Sequence, residues 1–528
     1  MKLNLAFTTG AISFLGFGFG QPADENIRQV AIIGAGPAGS SATYFLQQFA
    51  AEAGVRVNIT VFEKTDRIGG RTLTINPFND PAQRFEQGAS IFVKANQILY
   101  NAMTEFELSP AYRDSDPVMG IWDGDQFVFT IDQSAPSWWN TLKVIWKYGV
   151  SGPKKAQQAT AATISKFLRL YEPEFFPFES LTERAQDLEL VEATGVTGEQ
   201  FLEAKEVDAR YAHDIIQAST RVNYASNLAH IHGLDTMVSM AAEGALAVKG
   251  GNWQIFHEMV QRSGATVTLN TTVVAIDSAS SASSSEPQYT VRITSASTPS
   301  ANPTTHPVTF DNVILANPYQ FSGISAGEGV FQAPIDEIPY VQLHVTIFTS
   351  PYPFSPRFFG LPSSAKVPGM VLTTLAQSDT ATSGVGGVGK AGFLSLSMLG
   401  HAINPQTKRK EYVYKIFSPE AVNAEFLSRL LDKTVPPTFT GSDSPISWYT
   451  PHVFNSYPRA YPRVTFQDPI VGPGIYYTSG MESFISTMET NALMGKNVAR
   501  LLVDKLEKKA PVKSRNGLVW EDEQRILV

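Results

Sequence analysis

Near its N-terminus the chain runs from an apolar stretch, Gln29-Val30-Ala31-Ile32-Ile33, straight into Gly34-Ala35-Gly36-Pro37-Ala38-Gly39. A helical pattern from Ala38 to about Ala51 follows, and then a second strand-like run, Val57 to Phe62. Few architectures accommodate that order. A G-x-G-x-x-G turn between strand and helix belongs to a βαβ unit whose helix N-terminus faces the phosphates of a dinucleotide. Gly34 permits the tight turn and Gly36 lets backbone approach a pyrophosphate. Gly39 lets helix pack on strand, with Ala38 beside it in the first turn. Glu63 closes the second strand, where a carboxylate can accept hydrogen bonds from ribose hydroxyls. The predicted fold class is α/β, with a Rossmann-type dinucleotide-binding domain.

Shortly after Glu63, Gly69-Gly70-Arg71 resembles the second FAD fingerprint of amine-oxidase-like flavoproteins, which makes FAD the dinucleotide implied. Two glycines let the loop pass close to a cofactor, and Arg71 can bond phosphate or order the loop; the plain alternative is a solvated Arg on a turn. Phe85-Glu86-Gln87-Gly88-Ala89-Ser90 resembles the segment that brings small residues, here Gly88, Ala89 and Ser90, beside the isoalloxazine ring. Val273 stands where those families contact adenine through a main chain, although taken by itself a core valine is the stronger reading. Ala316-Asn317-Pro318 resembles their A-T-P turn, with Asn317 in place of Thr. Gly480-Met481-Glu482 is expected to open a final helix, Ser483 to about Leu506, with Met488 in its first turns. The N-terminal dipole of such a helix would stabilise negative charge on reduced flavin.

Further strand-like runs fall at 267–269, 273–276, 289–293, 313–315 and 474–478, with antiparallel strands expected at 338–348, 393–399 and 413–417. Between Ser137 and about Thr220 the periodicity is helical. The cofactor domain is therefore expected to be discontinuous, built from 28–110, 225–320 and 440–506. A substrate domain of mixed sheet plus helices takes 111–224 and 321–439, and 507–528 form a tail.

With 528 residues, 43% hydrophobic and 17% charged, the chain can bury two or three packed domains and a large ligand. A formal charge of −8 lacks the basic footprint of a nucleic-acid partner. Cysteine is absent, which excludes dithiol reductases, sulfhydryl oxidases and flavin attached through a thioether, so FAD is expected to be non-covalent. No metal-ligand set is predicted. Lys2 precedes an apolar run from Leu3 to Phe19 that closes on Gly18-Phe19-Gly20, the pattern of a signal peptide spanning 1–20 and cut after Gly20. A membrane anchor fits less well, because the run is short for a bilayer and rich in Gly and Thr. Export would place the protein outside the cell or in a lysosomal or vacuolar lumen. Asn58 and Asn270 begin glycosylation sequons, of which Asn270, near a turn, is the accessible one.

Gly384-Val385-Gly386-Gly387-Val388-Gly389-Lys390-Ala391 also matches G-x-G-x-x-G, but polar residues precede it and Ala391 stands where a phosphate loop needs Ser or Thr. It is expected to be a flexible loop. With no second dinucleotide site, electrons are expected to leave reduced flavin for oxygen or a protein acceptor.

Beyond the FAD motifs, the chain resembles the prenylcysteine oxidase, or prenylcysteine lyase, family over roughly residues 29–505. The resemblance rests on Ile145-Trp146-Lys147-Tyr148-Gly149, Arg221-Val222-Asn223-Tyr224, Ala247-Val248-Lys249-Gly250-Gly251-Asn252, Lys415-Ile416-Phe417-Ser418 and Ser486-Thr487-Met488-Glu489. It implies oxidative cleavage of a farnesyl- or geranylgeranyl-cysteine thioether, using O2 and water and giving prenyl aldehyde, cysteine and H2O2. Hydride loss from the allylic, sulfur-bound carbon needs no nucleophilic side chain, so catalytic candidates are few: Tyr224 and Lys249, with His230 and His232 nearby, each equally suited to a structural role. Trp138, Trp139, Leu142, Ile145 and Trp146 form a stripe suited to a prenyl entrance or a peripheral membrane contact, or to plain core. An amine oxidase or specialised-metabolite oxidase would share every FAD motif and add an aromatic cage and a Lys near the flavin. A non-catalytic prenyl-lipid binder would leave the fingerprints without a use.

Overall fold

The computed structural model describes residues 27–509, apart from 112–116, 242–243, 280–285, 296–302 and 442. The segment 1–20 expected to be a signal peptide, and nearly all of the expected tail, lie outside the described residues.

The strand Ile27–Ile33 pairs in parallel with Arg56–Phe62 on one side and Asn312–Leu315 on the other. Its last four residues, Val30 to Ile33, are buried, as an apolar run covered on both faces requires. Thr266–Thr268 extends this sheet beyond Arg56–Phe62, while Ile475–Tyr477 and Ile470–Gly472 extend it beyond Asn312–Leu315, giving six strands drawn from distant parts of the chain. A sheet of four strands, with Thr271–Ser278 and Tyr289–Ser295 at its centre, packs through Val273, Ile276 and Val291 against Ala31, Val313 and Ile475.

The helix Pro37–Ala53 begins with Pro at its first position and ends at Gly54 in the left-handed conformation. It lies against the terminal helix Met488–Lys509 so closely that a Cβ on Gly495 would sit 2.1 Å from the Ala38 carbonyl oxygen. Ser41 ties the pair, donating to the Ala492 carbonyl at 2.6 Å.

The second large sheet has seven strands and is mixed. Lys410–Ser418 lies between Tyr340–Ser350 and Ser395–Ile403 and is antiparallel to both, as expected, while Met370–Thr373 runs parallel to Val118–Trp122. Trp448–Pro458, read from sequence as part of the cofactor domain, instead pairs along Tyr340–Ser350 at the edge of this sheet. Residues 137–224 are helical, from Ser137–Tyr148 and Ser151–Leu168 to Gln217–Tyr224. Among the described residues no helix is long and apolar enough to cross a membrane.

Two expectations are corrected here. The final helix starts at Met488, not Ser483; residues Ser479–Ser483 form a separate 3-10 turn. The Thr487 hydroxyl accepts from the Thr490 N–H at 3.1 Å, which caps the helix and fixes its start. The dipole end therefore lies at Met488, where Glu489 receives the N–H groups of Ile98 and Leu99. The Gly384 loop is more structured than expected. Val385–Ala391 form 3-10 turns, and the buried Arg221 guanidinium holds the carbonyls of Gly387 and Val388 at 2.9 and 2.8 Å.

Candidate active site

The two glycine motifs meet. Gly69 donates its N–H to the Ala35 carbonyl at 2.9 Å, and a Cβ on Gly70 would stand 2.9 Å from the Gly36 Cα. The loop can therefore cross the helix N-terminus only with glycine at that point. Gly34 is fixed to the end of the second strand by an N–H bond to the Phe62 carbonyl at 2.8 Å. Ala38 and Gly39 follow, buried in the first turn of the helix, whose capping residue Gly36 has no side chain to satisfy the free N–H groups.

Glu63 is buried. One carboxylate oxygen accepts the Ala35 N–H at 2.9 Å; the other accepts the Thr65 N–H at 2.9 Å and the Thr65 hydroxyl at 2.8 Å. A carboxylate offers about four acceptor positions, so one stays available to a hydroxyl donor. Thr271 donates to the Glu63 carbonyl at 2.9 Å, bringing the strand that carries Val273 to the same edge. The Val273 side chain itself is core, which leaves open a contact through its main chain.

Arg71 is partly buried and paired, not a free arginine on a turn. It pairs with Glu482 at 2.6 Å and donates to the Ser456 carbonyl, clamping the second fingerprint to the turn Ser479–Ser483. Tyr340 donates to the other Glu482 oxygen at 3.2 Å. Burial, and then Glu482, push its phenol well above the ordinary range, so it stays a donor. Gly480 is buried in that turn, and Met488, the first residue of the terminal helix, packs into the core.

Around the small-residue segment, Gly88 and Ala89 donate to the carbonyls of Leu73 and Arg71 at 3.1 Å each. The Ser90 hydroxyl receives the Lys415 ammonium at 3.0 Å, and the Glu86 carbonyl receives it at 3.1 Å. Lys415 is buried, an ammonium brought by the seven-stranded sheet to the segment expected to flank the ring. Sequence reasoning quoted Lys415 without giving it a role. Gln87 Nε2 and Asn317 Oδ1 are buried without a hydrogen-bond partner among the described residues, a donor and an acceptor left for a bound group. The glycine cradle, Glu63 and these two orphaned atoms fit FAD.

Of the catalytic candidates, Lys249 is exposed, and its backbone N–H is held by the distant Ser109 carbonyl at 2.8 Å. Tyr224 is buried, stacked edge-on against Tyr457 at 5.6 Å and hydrogen-bonded to Asp235. Burial, and then Asp235, hold its phenol far above the ordinary range, which removes it as a base. His232 is buried and caps the helix Gly233–Met240, its pKa lowered to about 4 by burial. His230 borders a cavity of about 220 Å³ together with Arg221, Asn227, Tyr340, Gln342 and Arg459. Tyr340 thus separates that cavity from the Arg71–Glu482 pair.

A family model described as prenylcysteine lyase matches residues 131–513. The chain belongs to the prenylcysteine lyase family. A model of an NAD(P)-binding Rossmann-like domain matches residues 32–106, the βαβ unit and its second fingerprint. Among curated relatives, a farnesylcysteine lyase of Arabidopsis thaliana is 26% identical, covering 93% of this chain and 91% of its own. Prenylcysteine oxidase 1 of Bos taurus is 27% identical, covering 90% and 88%. Solved structures share the fold: a putrescine oxidase triple mutant superposes with a TM-score of 0.53 at 16% identity, covering 91% of this chain and 99% of its own. Cyclohexylamine oxidase from Brevibacterium oxydans gives 0.52 at 15% identity, with 91% and 99% covered. Family membership and this fold make the chain a flavin-dependent oxidoreductase of amine-oxidase-like architecture.

Proposed function

We propose that the protein oxidises the thioether of farnesyl- or geranylgeranyl-cysteine, with non-covalent FAD as cofactor and O2 as acceptor. The observation that carries this is the family match across 131–513, which takes in the helical insertion and five whole strands of the seven-stranded sheet, where flavoproteins of one fold diverge. Bound FAD would supply a hydride acceptor for the prenyl C1, whose cationic character both the allylic double bond and sulfur stabilise. Water adds to that carbon, and the hemithioacetal collapses to aldehyde and thiol. Overall, thioether, O2 and H2O give aldehyde, cysteine and H2O2, which balances.

The chain's own tasks are positional. Gly36, Gly70 and Glu63 hold the dinucleotide end, and Arg71, Glu482 and Tyr340 fix the loop and turn around the ring end. The turnover products test the reading: farnesal, cysteine and peroxide form in equal amounts from farnesylcysteine in air, and any other stoichiometry contradicts it.

One observation favours a second reading, amine oxidation: Lys415 brings a buried ammonium to Ser90. A substrate comparison separates the two.

The helix Ser137–Tyr148 supports contact with a lipid surface. Trp138, Trp146 and Val150 are 60%, 91% and 60% exposed, and Trp139, Leu142 and Ile145 lie on the same open side, contrary to the core reading. A prenylated substrate partitions into such a surface, and amphipathic rings suit the interface. Export from a signal peptide at 1–20, and glycosylation at Asn270, exposed in a left-handed turn, complete the proposal. N-terminal sequencing of the native protein checks the first: a start near Gln21 supports it and Met1 refutes it.

A further inference from the structure

The cavity beside Tyr340 is polar at one end and carries no carboxylate. Its ionisable lining groups are Arg221, Arg459, His230 and Tyr340, with no Asp or Glu. Arg221 is spent: its guanidinium meets Thr373, Asn227 and the carbonyls of Gly387 and Val388, and burial lowers its pKa to about 10. His230 faces the Ala381 carbonyl at 3.3 Å. Arg459 differs. Its backbone is fixed by an N–H bond to the Pro339 carbonyl at 2.7 Å, yet among the described residues its side chain has no ion-pair or hydrogen-bond partner. Its guanidinium lies at the Gly384 turn, where a Cβ would stand only 3.5 Å away. The loop pinned by Arg221 therefore forms one wall around an unsatisfied fork of donors, and Val341, Leu343 and Leu394 form an apolar wall beside it.

We propose that Arg459 binds the α-carboxylate of the prenylcysteine substrate, with the polar end of this cavity as the amino-acid subsite. This rests on the substrate reading above and deepens it. A half-buried guanidinium in a site without carboxylates has unmet donors in planar, bidentate geometry, which a carboxylate matches and an ester or amide does not. The carboxylate would be drawn to the end remote from the Arg71–Glu482 pair, leaving the thioether on the Tyr340 side. Arg459 is a positioning residue and takes no part in the bond changes.

The test compares farnesylcysteine with its methyl ester and its amide in wild type, Arg459→Gln and Arg459→Lys. Wild type should favour the free acid through KM. Arg459→Gln should raise KM for the acid by about tenfold to a hundredfold, the loss of a charge-assisted pair, and bring acid and ester level. Arg459→Lys should restore part of the preference, and the flavin spectrum should be unaltered in both variants. Equal use of acid and ester by wild type, or an acid preference that survives in Arg459→Gln, overturns the role of Arg459 while leaving thioether oxidation standing. Failure of wild type to oxidise any of the three overturns the substrate reading, and this proposal with it. Should Arg459→Gln lose its flavin, product inhibition of wild type decides: cysteine should inhibit more strongly than cysteamine, which lacks the carboxylate, and equal inhibition refutes the subsite.

Discussion

Arg71 and Glu482 form an ion pair of 2.6 Å across 411 residues of sequence, joining the second FAD fingerprint to the turn before the terminal helix. Glu482 is 1% exposed, so Arg71→Ala leaves a buried carboxylate whose remaining donors among the described residues are Tyr340 and Ser486. Breaking a buried pair from one side costs about 3–5 kcal/mol; because Arg71 is 32% exposed, the lower end applies. Thermal unfolding with flavin-fluorescence detection should show a lower Tm and earlier FAD release in Arg71→Ala. An unchanged release temperature would mean the clamp does not support the cofactor.

Glu63→Gln should weaken FAD retention by roughly 1.5–3 kcal/mol, as expected of a lost hydrogen bond to a charged group. Glu63→Ala should do more, because it also strands the N–H groups of Ala35 and Thr65. Titration of apoprotein with FAD measures both. Identical affinities in wild type and Glu63→Gln would reduce Glu63 to a structural carboxylate.

The cofactor half of the site was legible because its parts are close in sequence: strand, glycine turn, helix and Glu63 span 29–63, and each has a local reason. What stayed hidden is long-range. Nothing near Arg71 announces Glu482, and nothing in Lys415-Ile416-Phe417-Ser418 says that the ammonium reaches Ser90. Val118–Trp122 and Met370–Thr373 were missed because short buried strands lack alternation. The late start of the terminal helix had a signal in Thr487 and Thr490, at capping spacing, that the run Ser479–Ser483 masked. Trp138 to Trp146 were ambiguous because periodicity defines a face without saying what covers it.

Glu489 should give a pH signature. Burial raises its pKa to about 7 against the pull of the Ile98 and Leu99 N–H groups and the Tyr171 hydroxyl. Between the ordinary value of 4.5 and about 7, the folded chain holds a proton that the unfolded chain has lost. Stability from this group therefore falls as pH rises through that window. Denaturant midpoints measured across it should decline less steeply in Glu489→Gln than in wild type. Parallel slopes would contradict the assignment.

The exposed Trp face should govern binding to lipid. Replacing Trp138 and Trp146 by Ser removes apolar area contributing about 1.5–3 kcal/mol per buried ring. Sedimentation with phosphatidylcholine vesicles should capture wild type and leave the double variant in solution, with flavin content equal in both. Equal capture would assign the face another occupant.

Anaerobic titration of the flavin tests the central claim most directly. Farnesylcysteine should bleach the yellow chromophore in a single turnover, and a simple primary amine should leave it unchanged. Shorter S-alkyl chains should bind more weakly by about 0.8 kcal/mol per CH2 withdrawn from water. Saturated chains of farnesyl length should bind yet reduce the flavin slowly, since the allylic stabilisation is gone. Bleaching by the amine, with none by any prenylcysteine, would contradict thioether oxidation and transfer the fold, with Lys415 in its site, to amine chemistry.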